Sequence, residues 1–77
     1  MAKRVDGKLK ILYVKDILER AGHAVTMREM LERLSERGMS AERKSVSDDI
    51  RLLRQYGLPV VVIRRGRFTA YSLKKSD

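Results

Sequence analysis

The sequence predicts an α+β domain in which three helices are followed by a two-stranded β-hairpin. Apolar residues recur at the helical period in three stretches before residue 57, and two short β-branched and aromatic stretches follow it. Glycines separate these five stretches. Because 77 residues suit one small domain, we expect residues 1–77 to form a single domain, with frayed ends at 1–7 and 74–77.

The first helix is expected over residues 8–21. It would end at Gly22, since glycine accommodates the left-handed backbone found just past many helix C-termini. The apolar residues that follow the helical period here are Leu9, Leu12, Tyr13, Val14, Ile17 and Leu18. Residues 23–25 would then form a short connection.

Thr26 and Glu29 indicate the start of the second helix, because a threonine followed three residues later by a glutamate is the pattern of a capping box. Its apolar stripe consists of Met27, Met30, Leu31 and Leu34. Gly38 would end it, and Ser40 is placed to cap the next helix. The intervening residues predict the tight turn of a helix-turn-helix.

The third helix is expected at about residues 41–56, followed by Gly57. Val46, Ile50 and Leu53 fall on one side of this helix and predict its buried face. The opposite side is expected to be exposed; it carries Arg43, Lys44, Ser47, Asp48, Arg51, Arg54 and Gln55. Four cations would thus share one exposed face.

Residues 60–63 and 68–73 predict two strands joined by a two-residue turn at Arg65 and Gly66. This register places Val62 opposite Thr69 on one face. The other face would be apolar as well, formed by Val61, Ile63, Phe68 and Ala70. The tip would carry three arginines around a glycine: Arg64, Arg65 and Arg67.

Positive charge is concentrated in the second half of the chain. Lysine and arginine number 18 against 10 aspartates and glutamates, a net charge of +8, which indicates a polyanionic partner. Residues 8–42 hold seven cations and six acids, whereas residues 43–77 hold nine cations and three acids. The third helix and the hairpin are therefore the expected polyanion-binding region.

Several classes of function are disfavoured. The chain has no cysteine, and His23 is its single histidine, so we expect neither a disulfide nor a zinc site, and no cofactor. Asp48 and Asp49 have no partner typical of acid–base catalysis, so we expect no enzyme. The longest apolar run, residues 58–63, is far shorter than the roughly 20 residues that span a bilayer. These features favour a cytoplasmic, nucleoid-associated protein without a membrane span.

A longer pattern covers the third helix and the hairpin. It consists of Arg43, Ser45, Val46, Asp49, Ile50, Leu53, Gly57, Pro59, Val60, Tyr71 and Leu73. Over about residues 8–73 the chain resembles the winged helix-turn-helix domain of bacterial WYL-type and DeoR-like transcription regulators. It departs from that family at Asp48, where arginine is usual, and it stops where a larger regulator continues into a ligand-sensing WYL domain.

The resemblance implies sequence-specific binding of double-stranded DNA, with the third helix in the major groove and the hairpin as a wing on the minor groove or the backbone. We assign base contacts to Lys44, Ser47 and Arg51, with Ser45 beside them. The other DNA-binding residues are expected to be Arg43 and Arg54 on the flanks of the helix, Arg64, Arg65 and Arg67 on the wing, and Thr26 and Arg28 at the start of the second helix.

The sequence is compatible with more than one role for some residues and with more than one class of function. Capping alone explains Thr26 equally well, and Asp49 is expected to brace the third helix by pairing with a cation on a neighbouring element. The chain could be a stand-alone regulator, a homodimer, or one domain of a protein with an additional C-terminal sensing domain. A different class of function is a winged-helix protein-interaction module, whose apolar hairpin face docks a partner while the arginines bind an acidic surface.

Overall fold

The structure, a computed structural model, describes residues 7–74. Its elements are α1 (Gly7–Ala21), β1 (Val25–Thr26), α2 (Met27–Glu36), α3 (Arg43–Gln55), β2 (Val60–Arg65) and β3 (Phe68–Leu73). The three strands form one antiparallel sheet in the order β1-β3-β2. Helices α1 and α2 contact β3, and α3 contacts β2. This α+β arrangement is compatible with a small winged-helix fold.

All three predicted helices form. Helix α2 begins at the predicted Thr26 cap, but only half of the capping box forms, since the Glu29 carboxylate lies 3.5 Å from His23 and 3.5 Å from Arg33 instead. The Thr26 hydroxyl accepts the backbone N–H of Glu29 at 3.1 Å. At its other end Gly38 has a φ of 77°, and the N–H of Met39 donates to the carbonyl of Leu34 at 2.9 Å, which is the Schellman arrangement. Helix α3 ends in the same way at Gly57.

Helix α3 begins at Arg43, two residues later than expected. Its N-cap is Glu42, whose side chain makes no capping hydrogen bond, so the predicted cap at Ser40 is wrong. The connection from α2 is longer than a tight turn because it carries Met39 into the core, where this side chain is buried.

The predicted two-stranded sheet is also wrong, because a third strand precedes α2. In β1, Val25 lies opposite Tyr71 and Thr26 lies opposite Ala70. Val25 is completely buried, so tertiary packing against β3 holds a segment that the sequence indicated only as a connection. Two residues are too few to show the alternation by which a strand is recognised.

The hairpin register differs from the prediction. The turn consists of Gly66 and Arg67, and Arg65 lies opposite Phe68. Gly66 has a φ of 58°, whereas Arg67 has no positive φ, which is the pattern of a type II′ turn. The predicted turn would instead have put an arginine in the position that favours glycine. Because the shift is by an even number of residues, the predicted faces of both strands are kept.

A small core joins the helices to one face of the sheet. Its buried apolar residues are Val14, Ile17, Leu18, Val25, Met30, Leu34, Met39, Val46, Ile50, Val60 and Tyr71. The predicted buried faces of α2 and α3 are confirmed. The predicted face of α1 is partly wrong, because Leu9 and Leu12 are exposed while Lys10 is only 8% exposed.

The ends that were expected to fray include two described residues, Gly7 and Lys74. Gly7 is the first residue of α1, and the Lys74 N–H donates to the Pro59 carbonyl at 2.8 Å. The other residues expected to fray, 1–6 and 75–77, lie outside the described residues, and fraying of the ends stays a prediction. Within residues 7–74, no helix is long and apolar enough to cross a membrane.

Candidate functional site

A cleft of about 740 Å³ lies where the first turns of α2 and α3 meet the hairpin. Its polar and charged lining consists of Thr26, Arg28, Arg43, Lys44, Ser47, Arg67 and Thr69. Met27, Phe68 and Tyr71 complete the wall. The cleft therefore combines cations from three separate segments of the chain with apolar side chains in its wall.

A second cleft of about 310 Å³ continues along α3 towards its C-terminus. It is lined by Ser47, Ile50, Arg51, Arg54, Val62, Arg64, Thr69 and Tyr71. Ser47, Thr69 and Tyr71 belong to both clefts, so the two form one continuous surface between α3 and the hairpin. We call the cations that line it the basic face: Arg28, Arg43, Lys44, Arg51, Arg54, Arg64 and Arg67.

Most of these cations have no acidic partner. Among residues 7–74, no carboxylate lies within ion-pair distance of Arg43, Lys44, Arg51, Arg54, Arg64 or Arg67, nor of the neighbouring Arg65. Arg28 alone on the basic face is paired, at 3.7 Å from Glu32, and its side chain is still highly exposed. Mutual repulsion of the unpaired cations favours a bound anion.

A buried polar contact sets the rotation of α3. The Lys10 ammonium of α1 donates to the Ser45 hydroxyl at 2.7 Å and pairs with the Asp49 carboxylate. The Lys10 and Asp49 side chains are both largely buried. With Val46 and Ile50 in the core, this contact turns the opposite side of α3 towards the hairpin and solvent. The expectation that Asp49 pairs with a cation of a neighbouring element is confirmed.

The same contact separates Ser45 from the other predicted site residues. Its hydroxyl accepts a hydrogen bond from Lys10 on the α1 side of the helix, whereas Lys44, Ser47 and Arg51 line the clefts. Ser45 therefore lies apart from the other residues expected to contact bases, and its part in DNA binding stays a prediction. The sequence carried a usable signal: Lys10 lies four residues before Val14, on the buried side of α1.

The remaining predicted residues divide in two groups. Thr26 and Arg28 line the first cleft, although the Thr26 hydroxyl also caps α2. Arg65 and Asp48 line neither cleft. Arg65 lies opposite Phe68 on the outer face of the hairpin, since side chains alternate along β2.

That outer face leaves apolar side chains in contact with solvent. Phe68 is 71% exposed and Val61 is 40% exposed, whereas Ile63 and Ala70 are partly buried. The apolar character of this face was predicted. The pairing of Phe68 with Arg65 depends on where the turn lies, and this pairing was not predicted.

Several charges of α1 and α2 are paired with one another. The Asp16 carboxylate of α1 accepts from the Arg20 guanidinium at 2.9 Å and lies 3.0 Å from Nη2 of Arg37, which follows α2. Hydrogen bonding from Arg20, followed by Arg37, holds the pKa of Asp16 below its ordinary value. The Arg37 guanidinium also lies 5.2 Å from the centre of the Tyr13 ring. These contacts join α1 to the end of α2.

Residues 7–74 bring together no group of three or more histidine, cysteine or acidic side chains that could hold a metal ion. Comparisons with protein-family models, curated proteins and solved structures give no match to this chain. The resemblance to WYL-type and DeoR-like regulators therefore stays a prediction.

Proposed function

We propose that the chain binds double-stranded DNA through its basic face, as a winged helix-turn-helix domain of a transcription regulator. The observation that carries this proposal is the convergence of six cations without acidic partners on one surface between α3 and the hairpin. DNA presents closely spaced phosphates, and each phosphate that a lysine or arginine neutralises releases condensed counterions.

Helix α3 supplies the groups for the major groove. Its 13 residues make a rod about 20 Å long, and the groove is about 12 Å wide. Lys44 and Arg51 are exposed donors suited to guanine O6 and N7, and the Ser47 hydroxyl between them can donate or accept. Arg43 and Arg54 would reach phosphates on either side. Ser45 has no part in this assignment, since Lys10 holds its hydroxyl.

The hairpin and the start of α2 would hold the DNA backbone. Arg64 and Arg67 line the clefts from the hairpin side, where they can enter a narrow minor groove or contact phosphates. Thr26 and Arg28 stand at the N-terminus of α2, whose backbone N–H groups favour a phosphate. In this arrangement β2 and β3 act as the wing.

A protein-interaction module is the second candidate. The observation in its favour is the exposure of Val61 and Phe68 on the outer face of the hairpin. Val61 lies on the side of the sheet away from the core, whereas Phe68 also borders the first cleft, so a partner that covers both residues would adjoin the basic face. The protein-interaction candidate accounts for the six unpaired cations of the basic face only if the partner also carries an acidic surface.

The test is the salt dependence of binding to a mixed-sequence duplex. We expect log Kd to rise with log salt concentration with a slope of about 0.9 per phosphate contact, so that five or six contacts give a slope of about 5. Wild type is compared with Arg51→Ala and with Arg20→Ala, which removes an exposed charge that is paired with Asp16 on α1. No binding to any duplex, or a slope near zero, would reject the proposal and favour the protein-interaction candidate.

A further inference from the structure

An aromatic ring stands at the tip of the arginine-rich hairpin. Phe68 is the single phenylalanine of the chain, and it lies directly after the Gly66 and Arg67 turn. Most of its surface is in contact with solvent, so the folded chain removes little of the ring from water. The ring also forms part of the wall of the first cleft, together with Lys44 and Arg67.

The surroundings of Phe68 indicate a nucleic acid rather than an apolar protein surface. Arg64, Arg65 and Arg67 all lie within four residues of it, and none of them has an acidic partner in the described part of the chain. A wholly apolar partner would desolvate these guanidinium groups without compensation. Phosphates would satisfy the arginines, and the flat face of a base would cover the ring.

An intact duplex does not offer that face. Its grooves expose base edges, which are read by hydrogen-bond donors and acceptors, and a phenyl ring has neither. The face of a base becomes accessible where the stack is opened. Mismatched or unpaired bases open at the lowest cost.

We propose that Phe68 stacks on an unstacked base, so that the hairpin tip favours DNA with a mismatched or opened step over fully paired DNA. This inference rests on the proposed function, since the arginines and α3 must first bring the ring against DNA. Arg64, Arg65 and Arg67 would hold the phosphates that flank the opened step. Selectivity of this kind concerns the state of the duplex and not its base sequence.

The first experiment measures affinity for two duplexes of equal length that differ only by a central mismatch. We expect the wild-type chain to prefer the mismatched duplex by about tenfold, because stacking one base on an aromatic ring is worth roughly that factor. Phe68→Ala should lose this preference, because it weakens binding to the mismatched duplex far more than binding to the paired one, and it should keep the salt slope. Phe68→Leu, which keeps apolar bulk without a π face, should lose most of it.

Tyr56→Ala is the matched control. Tyr56 is 84% exposed and lines neither cleft, so its removal deletes an equally accessible ring away from the hairpin. We expect this variant to keep the preference. Thermal unfolding of all three variants should match wild type, since both rings are largely outside the core.

A second measurement uses fluorescence. The chain contains no tryptophan, so Phe68→Trp introduces a single indole. Its emission should be quenched more by the mismatched duplex than by the paired one, whereas the emission of a Tyr56→Trp variant should change little with either. Equal quenching by the two duplexes would show that the ring does not discriminate an opened step, and would overturn the inference.

The outcomes separate this inference from the proposed function. Tight, salt-dependent binding with no mismatch preference overturns the stacking role alone. An equal loss of affinity for both duplexes in Phe68→Ala also overturns the stacking role, because such a loss assigns the ring to general contact with the DNA backbone. A wild-type chain that binds neither duplex rejects the DNA-binding function itself, and the ring then belongs with Val61 to a protein-docking surface.

Discussion

The two halves of the molecule use their charges differently. In α1 and α2, the Asp16 carboxylate lies between Arg20 and Arg37, and Glu29 lies 3.5 Å from Arg33. In the second half, the Asp49 carboxylate of α3 pairs with Lys10. The arginines of α3 and the hairpin have no acidic partner among residues 7–74. Paired charges are used within the fold, either inside one helix or, as at Asp16 and Arg37, between elements, whereas unpaired charges are available to an external partner.

This difference locates the site more sharply than net charge does. A total of +8 is compatible with a diffuse positive surface. The structure shows instead that the paired cations lie mostly in the first half of the chain and that the unpaired ones line two joined clefts. We therefore expect substitutions of paired charges in the first half to change the stability of the fold, and substitutions of unpaired cations in the second half to change DNA binding.

The largest effect is expected at the buried pair that crosses between the halves. Lys10→Met leaves the Asp49 carboxylate largely buried without its cation, so it should lower the free energy of unfolding by about 3 kcal/mol. This value is at the lower end for buried pairs, because both side chains are slightly exposed. Urea denaturation measures this change.

Two further variants sharpen that test. Lys10→Met combined with Asp49→Leu should recover much of the loss, because the uncompensated charge is gone. Lys15→Met, which breaks the exposed pair with Glu19 on the same helix, should cost less than about 1 kcal/mol. Equal effects for Lys10→Met and Lys15→Met would show that the Lys10 pair does not position α3.

Arginine substitutions test the division directly. A preferred duplex is first selected from a random DNA pool. Arg51→Ala should then reduce discrimination between that duplex and a random one by about 1–3 kcal/mol, since Arg51 is assigned to a base edge. Arg20→Ala should leave discrimination unchanged. Competition titrations measure both.

The Arg65→Ala variant completes this series. Arg65 lies at the hairpin tip outside both clefts, and the wing is assigned to the DNA backbone. Its replacement should therefore weaken binding to both duplexes about equally, as the loss of a backbone contact does. An equal loss on both duplexes for Arg51→Ala would move Arg51 from base contact to phosphate contact.

Asp48 provides a smaller test at the border of the basic face. It is exposed on α3 and lines neither cleft. Asp48→Arg should tighten binding to a random duplex by adding a phosphate contact, and should steepen the salt slope by about 0.9. Glu36→Arg makes the same change of charge at the end of α2 and should alter the slope less.

Two other results at Asp48 would be informative. A selective loss of the preferred duplex would show that its carboxylate accepts a hydrogen bond from a cytosine amino group. Unchanged affinity and slope for both duplexes would show that this part of α3 does not face DNA.

The smallest effect is expected from the matched charges of α1. Because Arg20 and Arg37 lower the pKa of Asp16 in the folded chain, the ionised carboxylate stabilises the fold at pH values above the unfolded aspartate pKa of about 3.9. This stabilisation is lost as the pH falls through the lower folded pKa. Asp16→Asn should therefore be slightly less stable than wild type at pH 7 and equal to it in strong acid, as measured by thermal unfolding against pH. A difference that persists in acid would contradict this origin.

Local features of the chain account for most of the fold that could be predicted. The glycine stops, the Thr26 cap and the spacing of Val46 and Ile50 act within one or two helical turns, so a sequence shows them directly. The exposed side of α3 followed from that spacing. Most of the candidate site could therefore be predicted together with the helix that carries it.

Four features could be predicted from the amino-acid pattern: the three helices, the inward faces of α2 and α3, the two strands of the hairpin and the concentration of cations after residue 42. Three other features became visible only in the folded chain: Val25 joins the sheet, Gly66 begins the turn, and Lys10 reaches α3 and holds Ser45 away from the basic face. The two sets of features differ in the range of the interactions that produce them. Helix periodicity and capping act between near neighbours, whereas strand pairing and the burial of a charge depend on partners that are distant in the sequence and meet only in the folded chain.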